Sequence, residues 1–331
     1  MPEACRDVIV VGASAGGVEA LRQFVSGLPA DLAATVLVVL HLPRGATSVL
    51  PAILRRSSPL PVSTAEHGEP LRHGRVYTAC PDHHLLVTGD AVALSTGPTE
   101  NGHRPAVDAL FRSAARALGP RVIGVVLSGT LDDGAAGLAT IVARGGAAVV
   151  QDPSDALYPG MPQSALREVG AEHVVPAAQM GEVLAKLTRE VVETRAAAPL
   201  RHATEVEADI AEDDPGVSGP VDEVATPSGF TCPECDGTLL ELPGTDRYRC
   251  WVGHAWTLEA LAEQKDDAVE RALWAALRAL DEKTRLAQRM RLRAAERDRT
   301  RISERYADAE HEATHAAEVL RALLRGQHGA P

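Results

Sequence analysis

Short runs of Val, Ile and Leu alternate with helical stripes along the first 193 or so residues. Val8–Val11, Val36–Leu40 and Val122–Leu127 are unbroken apolar runs, the pattern of strands buried on both faces. Further strands are expected at Arg75–Ala79, Ala147–Gln151 and His173–Val175. Leu85–Thr88 and Ala91–Ser95 flank Gly89-Asp90 and read as a tight hairpin. Within Val18–Leu28, the residues Ala20, Leu21, Phe24, Val25 and Leu28 form a helical stripe, and helices are expected over Ala106–Ala117, Ala135–Ala143 and Gly181–Glu193. Repeated strand–helix units predict an α/β domain over residues 1–195, a doubly wound, mostly parallel, Rossmann-like sheet with helices on both faces.

The pattern then breaks. Residues 196–229 are Pro-, Gly- and Ser-containing and acidic, with no Lys or Arg between His202 and Asp246. That composition predicts a flexible linker. Residues 230–256 hold Cys232-Pro233-Glu234-Cys235 and Cys250-Trp251-Val252-Gly253-His254. Two close pairs of soft ligands fit tetrahedral Zn²⁺, so Cys232, Cys235, Cys250 and His254 are the candidate ligands of a structural zinc-binding module. So short a segment has little core of its own without such a staple. From Ala255 to Arg325 there is neither Gly nor Pro, and apolar residues recur at 3–4 spacing, which predicts a long α-helical region over 257–326, a hairpin or a coiled coil. The polar stretch Glu296–Arg301 reads either as a bend between two helices or as the solvated middle of a single long coil, and the apolar stripes are a candidate surface for self-association.

Bulk properties narrow the function classes. The chain has 331 residues, 45% of them hydrophobic but only 3% aromatic, and a formal net charge of −12. The negative balance argues against nucleic-acid binding. No run approaches the roughly 20 apolar residues of a membrane span, so no membrane insertion is expected. Met1–Asp7 lacks the features of a secretory leader, and five cysteines, three of them clustered, suit a metal site in a reducing, cytoplasmic setting better than a disulfide framework.

Candidate chemistry sits where the buried strands end. Gly12-Ala13-Ser14-Ala15-Gly16 has the G-x-S-x-G form of a nucleophile elbow, His41 directly follows the second run, and Asp132-Asp133-Gly134 follows the third. In open α/β sheets the carboxyl ends of strands line one crevice, so a serine nucleophile, a histidine base and an orienting carboxylate can meet there. The glycine loop alone also fits a dinucleotide-dependent oxidoreductase, but Ser14 replaces the second glycine of that fingerprint and His41 stands where a ribose-binding acid is expected. The residues themselves leave Asp132 and Asp133 as alternatives for the acid. Asp before Gly at a helix start also reads as an ordinary helix cap.

Several segments together resemble the catalytic domain of CheB-type protein-glutamate methylesterases: VIVVGASAGG at Val8–Gly17, His41-Leu42-Pro43, Arg104-Pro105-Ala106-Val107-Asp108, GTLDDGAAG at Gly129–Gly137 and Gly160-Met161-Pro162. The resemblance implies a Ser14–His41–Asp133 triad, selecting Asp133 over Asp132. It also implies hydrolysis of glutamate methyl esters on a methylated chemoreceptor or similar helical sensory protein, with glutamine deamidation as a second activity and no cofactor for catalysis. The chain departs from the family pattern at Ala15, where Thr is common, at Thr130-Leu131-Asp132, and at Leu40, where Gln is usual. No phospho-acceptor receiver domain is expected ahead of the matched region. A scaffold that docks on signalling helices without turnover is the alternative function.

Overall fold

The computed structural model describes residues 4–42, 45, 48–193, 199–200, 202–212, 225–243 and 245–327. In chain order these form β1 (Ala4–Cys5), β2 (Val8–Ala13), α1 (Gly17–Ser26), β3 (Thr35–Leu40), α2 (Leu50–Arg55), β4 (Val62–Thr64), β5 (Arg75–Thr78), β6 (His84–Thr88) and β7 (Ala91–Ser95). There follow α3 (Val107–Leu118), β8 (Val122–Val126), α4 (Ala135–Ala143), β9 (Ala147–Gln151), α5 (Gly160–Val169), β10 (His173–Val175), α6 (Met180–Leu187), β11 (Val191–Val192) and α7 (His202–Glu212). Four strands, β12 (Thr226–Thr231), β13 (Thr238–Glu241), β14 (Arg247–Cys250) and β15 (Ala255–Thr257), precede two long helices, α8 (Leu258–Ala295) and α9 (Thr300–Gln327).

Seven of the strands make an all-parallel sheet in the order β10-β9-β8-β2-β3-β5-β4. Alternation along β2 explains why the run is apolar throughout: Ile9 and Val11 face one core with Leu21, Phe24 and Leu184, and Val8 and Val10 face another with Leu110, Phe111 and Leu138. The expected strands and the β6–β7 hairpin are present. The short α2 and β4 are elements the periodicity did not signal. The helix expected over Gly181–Glu193 ends at Leu187, and Val191–Val192 pairs with β1 instead.

The helical layer on one face is seated by close backbone contact. A Cβ on Gly181 would lie 1.8 Å from the Gly27 carbonyl oxygen, so nothing larger than hydrogen fits without moving α6. Gly181→Ala is therefore expected to lower unfolding free energy by about 2–3 kcal/mol, read by urea unfolding.

The expected linker needs correction. His202–Glu212 is helical, with Glu207, Ala208 and Ala211 buried, and the sheet of the Cys/His module begins at Thr226, before residue 230. Its acidic residues mislead because they have buried or half-buried basic partners: Arg116 pairs with Asp209, and Arg247 and Arg249 with Glu207. Within the expected linker, residues 196–198, 201 and 213–224 lie outside the described residues, as does Pro43. The helix expected from residue 257 begins at Leu258, because Thr257 ends strand β15, whose backbone pairs with β14.

The chain divides into two compact units, Met1–Leu261 and Ala262–Pro331. The second is a helical hairpin. Arg291 pairs with Glu310 and Arg321 with Asp281, an antiparallel register, and Leu277, Ala317 and Leu324 are buried between the helices. The turn falls at 296–299, inside the polar stretch Glu296–Arg301. Among the described residues no helix is long and apolar enough to cross a membrane.

Candidate active site and metal cluster

β2, β3 and β8 are neighbours in the sheet, so the residues after their carboxyl ends converge. Main-chain bonds extend the ladder past the strand ends: the His41 N–H donates to the Ala13 carbonyl (3.1 Å), and the Ser14 N–H to the Ser128 carbonyl (2.9 Å). Gly16, in the left-handed region at φ 70°, turns the chain from β2 into α1, and a Cβ there would meet Ser128 Oγ at 2.7 Å.

The turn presents Ser14 to His41. His41 Nδ1 lies 3.1 Å from Ser14 Oγ, and His41 Nε2 lies 2.7 Å from Asp133 Oδ2. The His41 and Asp133 side chains are only 7% and 3% exposed, and Ser14 and His41 border an open cleft of about 670 Å³. Val18, Arg22, Ile53 and Arg56 also line that cleft.

Asp133 is fixed from a direction the sequence did not reveal. The α3 N-terminus points at it: Val107 N–H donates to Oδ2 (2.8 Å) and Asp108 N–H to Oδ1 (3.1 Å). Asp108 reciprocates by accepting the N–H groups of Gly134 (3.0 Å) and Gly137 (2.7 Å), at the start of α4. Burial pushes the Asp133 carboxyl up, but the hydrogen bond and charge of His41, with the Val107 N–H, outweigh it and hold it below the ordinary carboxylate range.

Two further side chains belong to this centre. His103 stacks on His41 with ring centroids 3.8 Å apart and planes 14° apart. Burial, and then the charge of His41, lower His103 to about 4, so it is neutral near pH 7. Ser128 Oγ donates to the Ala15 carbonyl (2.8 Å) and accepts the Tyr158 N–H (3.0 Å), tying the serine turn to the α5 approach. Neither carried a sequence signal: one is a histidine among twelve, the other a serine in a glycine-rich loop.

Asp132, the alternative acid, points elsewhere and accepts the Thr257 hydroxyl of β15 (2.8 Å). Burial, aided by the carboxylates of Asp108, Glu259 and Asp133, pushes it up to about 7, and the Thr257 bond opposes this. The folded state thus holds this proton longer than the unfolded chain, so stability falls as pH rises from the ordinary carboxylate range to about 7 and stays reduced above it. Asp132→Asn is expected to stabilise the protein by about 2–4 kcal/mol near pH 8 and hardly at all near pH 4, measured by urea unfolding at both.

The Cys/His sheet packs against this same centre within the first unit. β15 pairs with the 99–101 segment: Asn101 N–H donates to the Ala255 carbonyl (2.8 Å), and Thr257 N–H to Asn101 Oδ1 (2.8 Å). β14 sends two buried arginines inward. Arg247 pairs with Asp108, Glu100 (3.3 Å) and Glu207 (2.9 Å). Arg249 pairs with Glu100 (2.9 Å) and Glu207 (3.1 Å), and Arg112 of α3 also meets Glu100. Three guanidinium groups thus face three carboxylates. Burial raises Glu100, yet Arg112, Arg249 and Arg247 drive it well below its ordinary value. Asp108 stays raised by burial despite Arg247.

At the outer end of the same strand, the ligand atoms of Cys232, Cys235, Cys250 and His254 lie within 4.8 Å of one another. Cys235 and Cys250 sulfurs are 3.6 Å apart, and His254 Nδ1 is 3.5 Å from Cys250 Sγ and 3.7 Å from Cys232 Sγ. A tetrahedron with Zn–S bonds of about 2.3 Å has S···S edges of about 3.8 Å, so the donor set fits the ion. Glu234 Oε2 lies 3.1 Å from His254 Nε2, the outer carboxylate that commonly orients a metal-binding imidazole. Burial and the adjacent Cys232 push the Cys250 thiol up to about 12. Cys5 and Cys80 lie outside the cluster.

The fold and site define an α/β protein with a serine–histidine–aspartate relay at the carboxyl edge of a parallel sheet. Residues 9–184 match the family model described as CheB methylesterase, and the chain belongs to that family. It is 44% identical over 188 residues to a protein-glutamate methylesterase/protein-glutamine glutaminase of Nocardioides sp., a match covering 55% of this chain and 51% of the relative. A protein of that description from Methanosarcina mazei is 39% identical over 192 residues, covering 56% and 52%. The crystal structure of the Thermotoga maritima CheB methylesterase catalytic domain superposes with a TM-score of 0.52 at 34% identity, covering 55% of this chain and 98% of that one. The chain spans about half the length of the curated relatives it matches.

Proposed function

We propose that this chain is a serine carboxylesterase that hydrolyses glutamate methyl esters on a methylated chemoreceptor or similar helical sensory protein, by a Ser14–His41–Asp133 triad and without a catalytic cofactor. The observation that carries this reading is the unbroken hydrogen-bond chain from Ser14 Oγ through His41 to Asp133, in a chain of this family. Names of relatives favour it over the scaffold and dinucleotide readings. An open cleft beside Ser14 suits a side chain presented from the surface of a large partner.

In this reading Ser14 Oγ attacks the ester carbonyl while His41 Nδ1 takes its proton. The N–H of Ala15, with that of Thr130, is the proposed donor to the developing oxyanion. Collapse of the tetrahedral intermediate breaks the bond to the methoxy oxygen, which leaves as methanol with the proton returned by His41. A water, deprotonated by His41, then attacks the acyl-serine and releases the glutamate carboxylate. Asp133 holds the imidazole in position and stabilises its protonated form. Attack on a glutamine side chain by this same route would release ammonia, the deamidase activity. The cytoplasm is the proposed setting, since the module then keeps its thiols reduced.

The Cys/His module belongs to the proposal as a structural Zn²⁺ site held by Cys232, Cys235, Cys250 and His254. All four positions are protein ligands, which leaves none for substrate, so the ion would stabilise the module. The test of function is methanol release on incubating the full chain with a methylated receptor helix, together with mass spectrometry after fluorophosphonate treatment. A covalent adduct on Ser14 and methanol production are expected. Neither methanol nor adduct would reject the esterase in favour of a binding role.

A further inference from the structure

The Cys/His module lies beyond the residues that match the family, yet it delivers a buried charge to the carboxylate network behind the triad. Asp108 is the node. Its N–H donates to Asp133, its Oδ1 accepts Gly134 and Gly137 on the far side of Asp133, and its Oδ2 receives Arg247 Nη1. Both backbone segments that aim Asp133 at His41 therefore meet in one carboxylate. That carboxylate is fully buried and faces other acids, Asp133 and Glu100, whose like charges oppose its own. Arg247 is the cation in direct contact with it, and Arg247 is fixed in turn by Glu207 and Glu100. Arg249, one turn of the pleat along β14, donates to the Gly253 carbonyl, which lies in the Cys250–His254 loop of the candidate metal site.

We propose that Arg247, supplied by the Cys/His sheet, is a positioning residue for the triad, holding Asp108 so that the α3 N-terminus and the 133–137 loop fix Asp133 against His41. This rests on the esterase reading for its kinetic consequence, though not for its structural one. It makes the module a built-in part of the site rather than an appendage. Loss of Arg247 leaves Asp108 with no cation in contact, beside Asp133 in a water-poor interior where only the more distant Arg112 offsets its charge, and the segment must either take up a proton or move. Either outcome loosens the aim of Asp133. The cleft beside Ser14 is lined by His41 but not by Arg247 or Asp108, so substrate binding is expected to be unaffected.

The experiment uses the full chain with Arg247→Met, Asp108→Asn and the double variant. Two readouts are taken on each: the low-field proton resonance of the His41–Asp133 hydrogen bond, assigned by its loss in Asp133→Asn, and kcat and KM for methyl-ester hydrolysis. Arg247→Met is expected to lose or shift the resonance and to lower kcat by about 10- to 100-fold, with KM within about 2-fold. The double variant, which has no stranded carboxylate, is expected to recover most of that loss. A pure packing role predicts no recovery, so a double variant no better than Arg247→Met overturns the proposal. So does a folded Arg247→Met that keeps both resonance and kcat. Should Arg247→Met fail to fold by circular dichroism, Asp108→Asn decides: an unchanged resonance and kcat would refute the positioning role, and a change in both supports it. If the wild-type chain releases no methanol, the esterase reading fails while the resonance still decides the role of Arg247.

Discussion

Ser14→Ala is expected to lower methanol release from a methylated receptor helix by about 10⁴- to 10⁶-fold, with the fold and the melting temperature unchanged. The size follows from the chemistry. Without the hydroxyl there is no acyl intermediate, and only water oriented in the cleft remains to attack. The exchange itself is mild, because it deletes one oxygen at a cleft-lining position and leaves the Ser14 N–H bond to the Ser128 carbonyl in place. Asp133→Asn is expected to come close, at about 10⁴-fold, for a different reason. The two oxygens of Asp133 accept three donors, from His41, Val107 and Asp108. An amide presents one acceptor and one donor, so it must turn an N–H toward another N–H, and His41 loses its tautomer or its orientation. Progress curves for methanol under single-turnover and steady-state conditions measure both. A Ser14→Ala protein as active as the wild type would end the covalent mechanism.

Metal removal has the second largest expected effect. The purified chain is expected to carry about one Zn²⁺, and a strong chelator is expected to expose the thiols of Cys232, Cys235 and Cys250 to a thiol reagent and to lower the melting temperature of the first unit, as would Cys250→Ser. The module's own core is small, chiefly Leu239, Tyr248, Trp256, Ala260 and Leu261 around the two buried cysteines. Structural zinc contributes about 10–16 kcal/mol in isolated fingers, more than so small a core can supply on its own. The effect should reach beyond the module, because β14 carries Arg247 and Arg249 into the ion-pair network with Glu100, Asp108 and Glu207. Breaking one side of a buried ion pair costs about 3–5 kcal/mol, since the other side is left charged and dry. Metal analysis by plasma emission and calorimetry before and after chelation test this. Substoichiometric metal with an unchanged melting curve would show that the four ligands hold together without an ion.

Much of the fold could be read along the chain because the strongest signals are local. A strand buried on both faces has to be apolar throughout, so β2, β3 and β8 announce themselves as runs, and the glycine-rich turns after them mark where the chain must fold back. α2 and β4 were hidden because each is short, and β11 because two residues have no period. The acidic segment at 202–212 misled for a physical reason. Composition arguments assume that charges stay in water, and Glu207 is instead buried between Arg247 and Arg249, forty residues further on.

The candidate site divides in the same way. Ser14 and His41 were legible because each directly follows a recognisable strand. The choice between Asp132 and Asp133 was not, since both end the same loop and only the direction of each side chain separates them: Asp133 faces His41 and α3, Asp132 faces Thr257. The helix-cap reading of that aspartate does not hold for its own helix: Asp133 accepts the first N–H groups of α3, while Asp108 of α3 accepts those at the start of α4. His103 was invisible, because a stacking partner is defined by a face and not by a neighbour in sequence.

By itself, then, the chain determined most of the longer elements of the first 193 residues, the parallel sheet, the strand-end location of the candidate chemistry and the paired Cys/His ligands, because those follow from periodicity and spacing over a few residues. The tertiary structure alone decided which aspartate meets the imidazole, that a second imidazole covers it, and that two arginines from the Cys/His module reach the carboxylates behind it. Those contacts join residues up to 149 positions apart, many through buried charge, and the energy of a buried charge depends on what surrounds it in space, which no local pattern records.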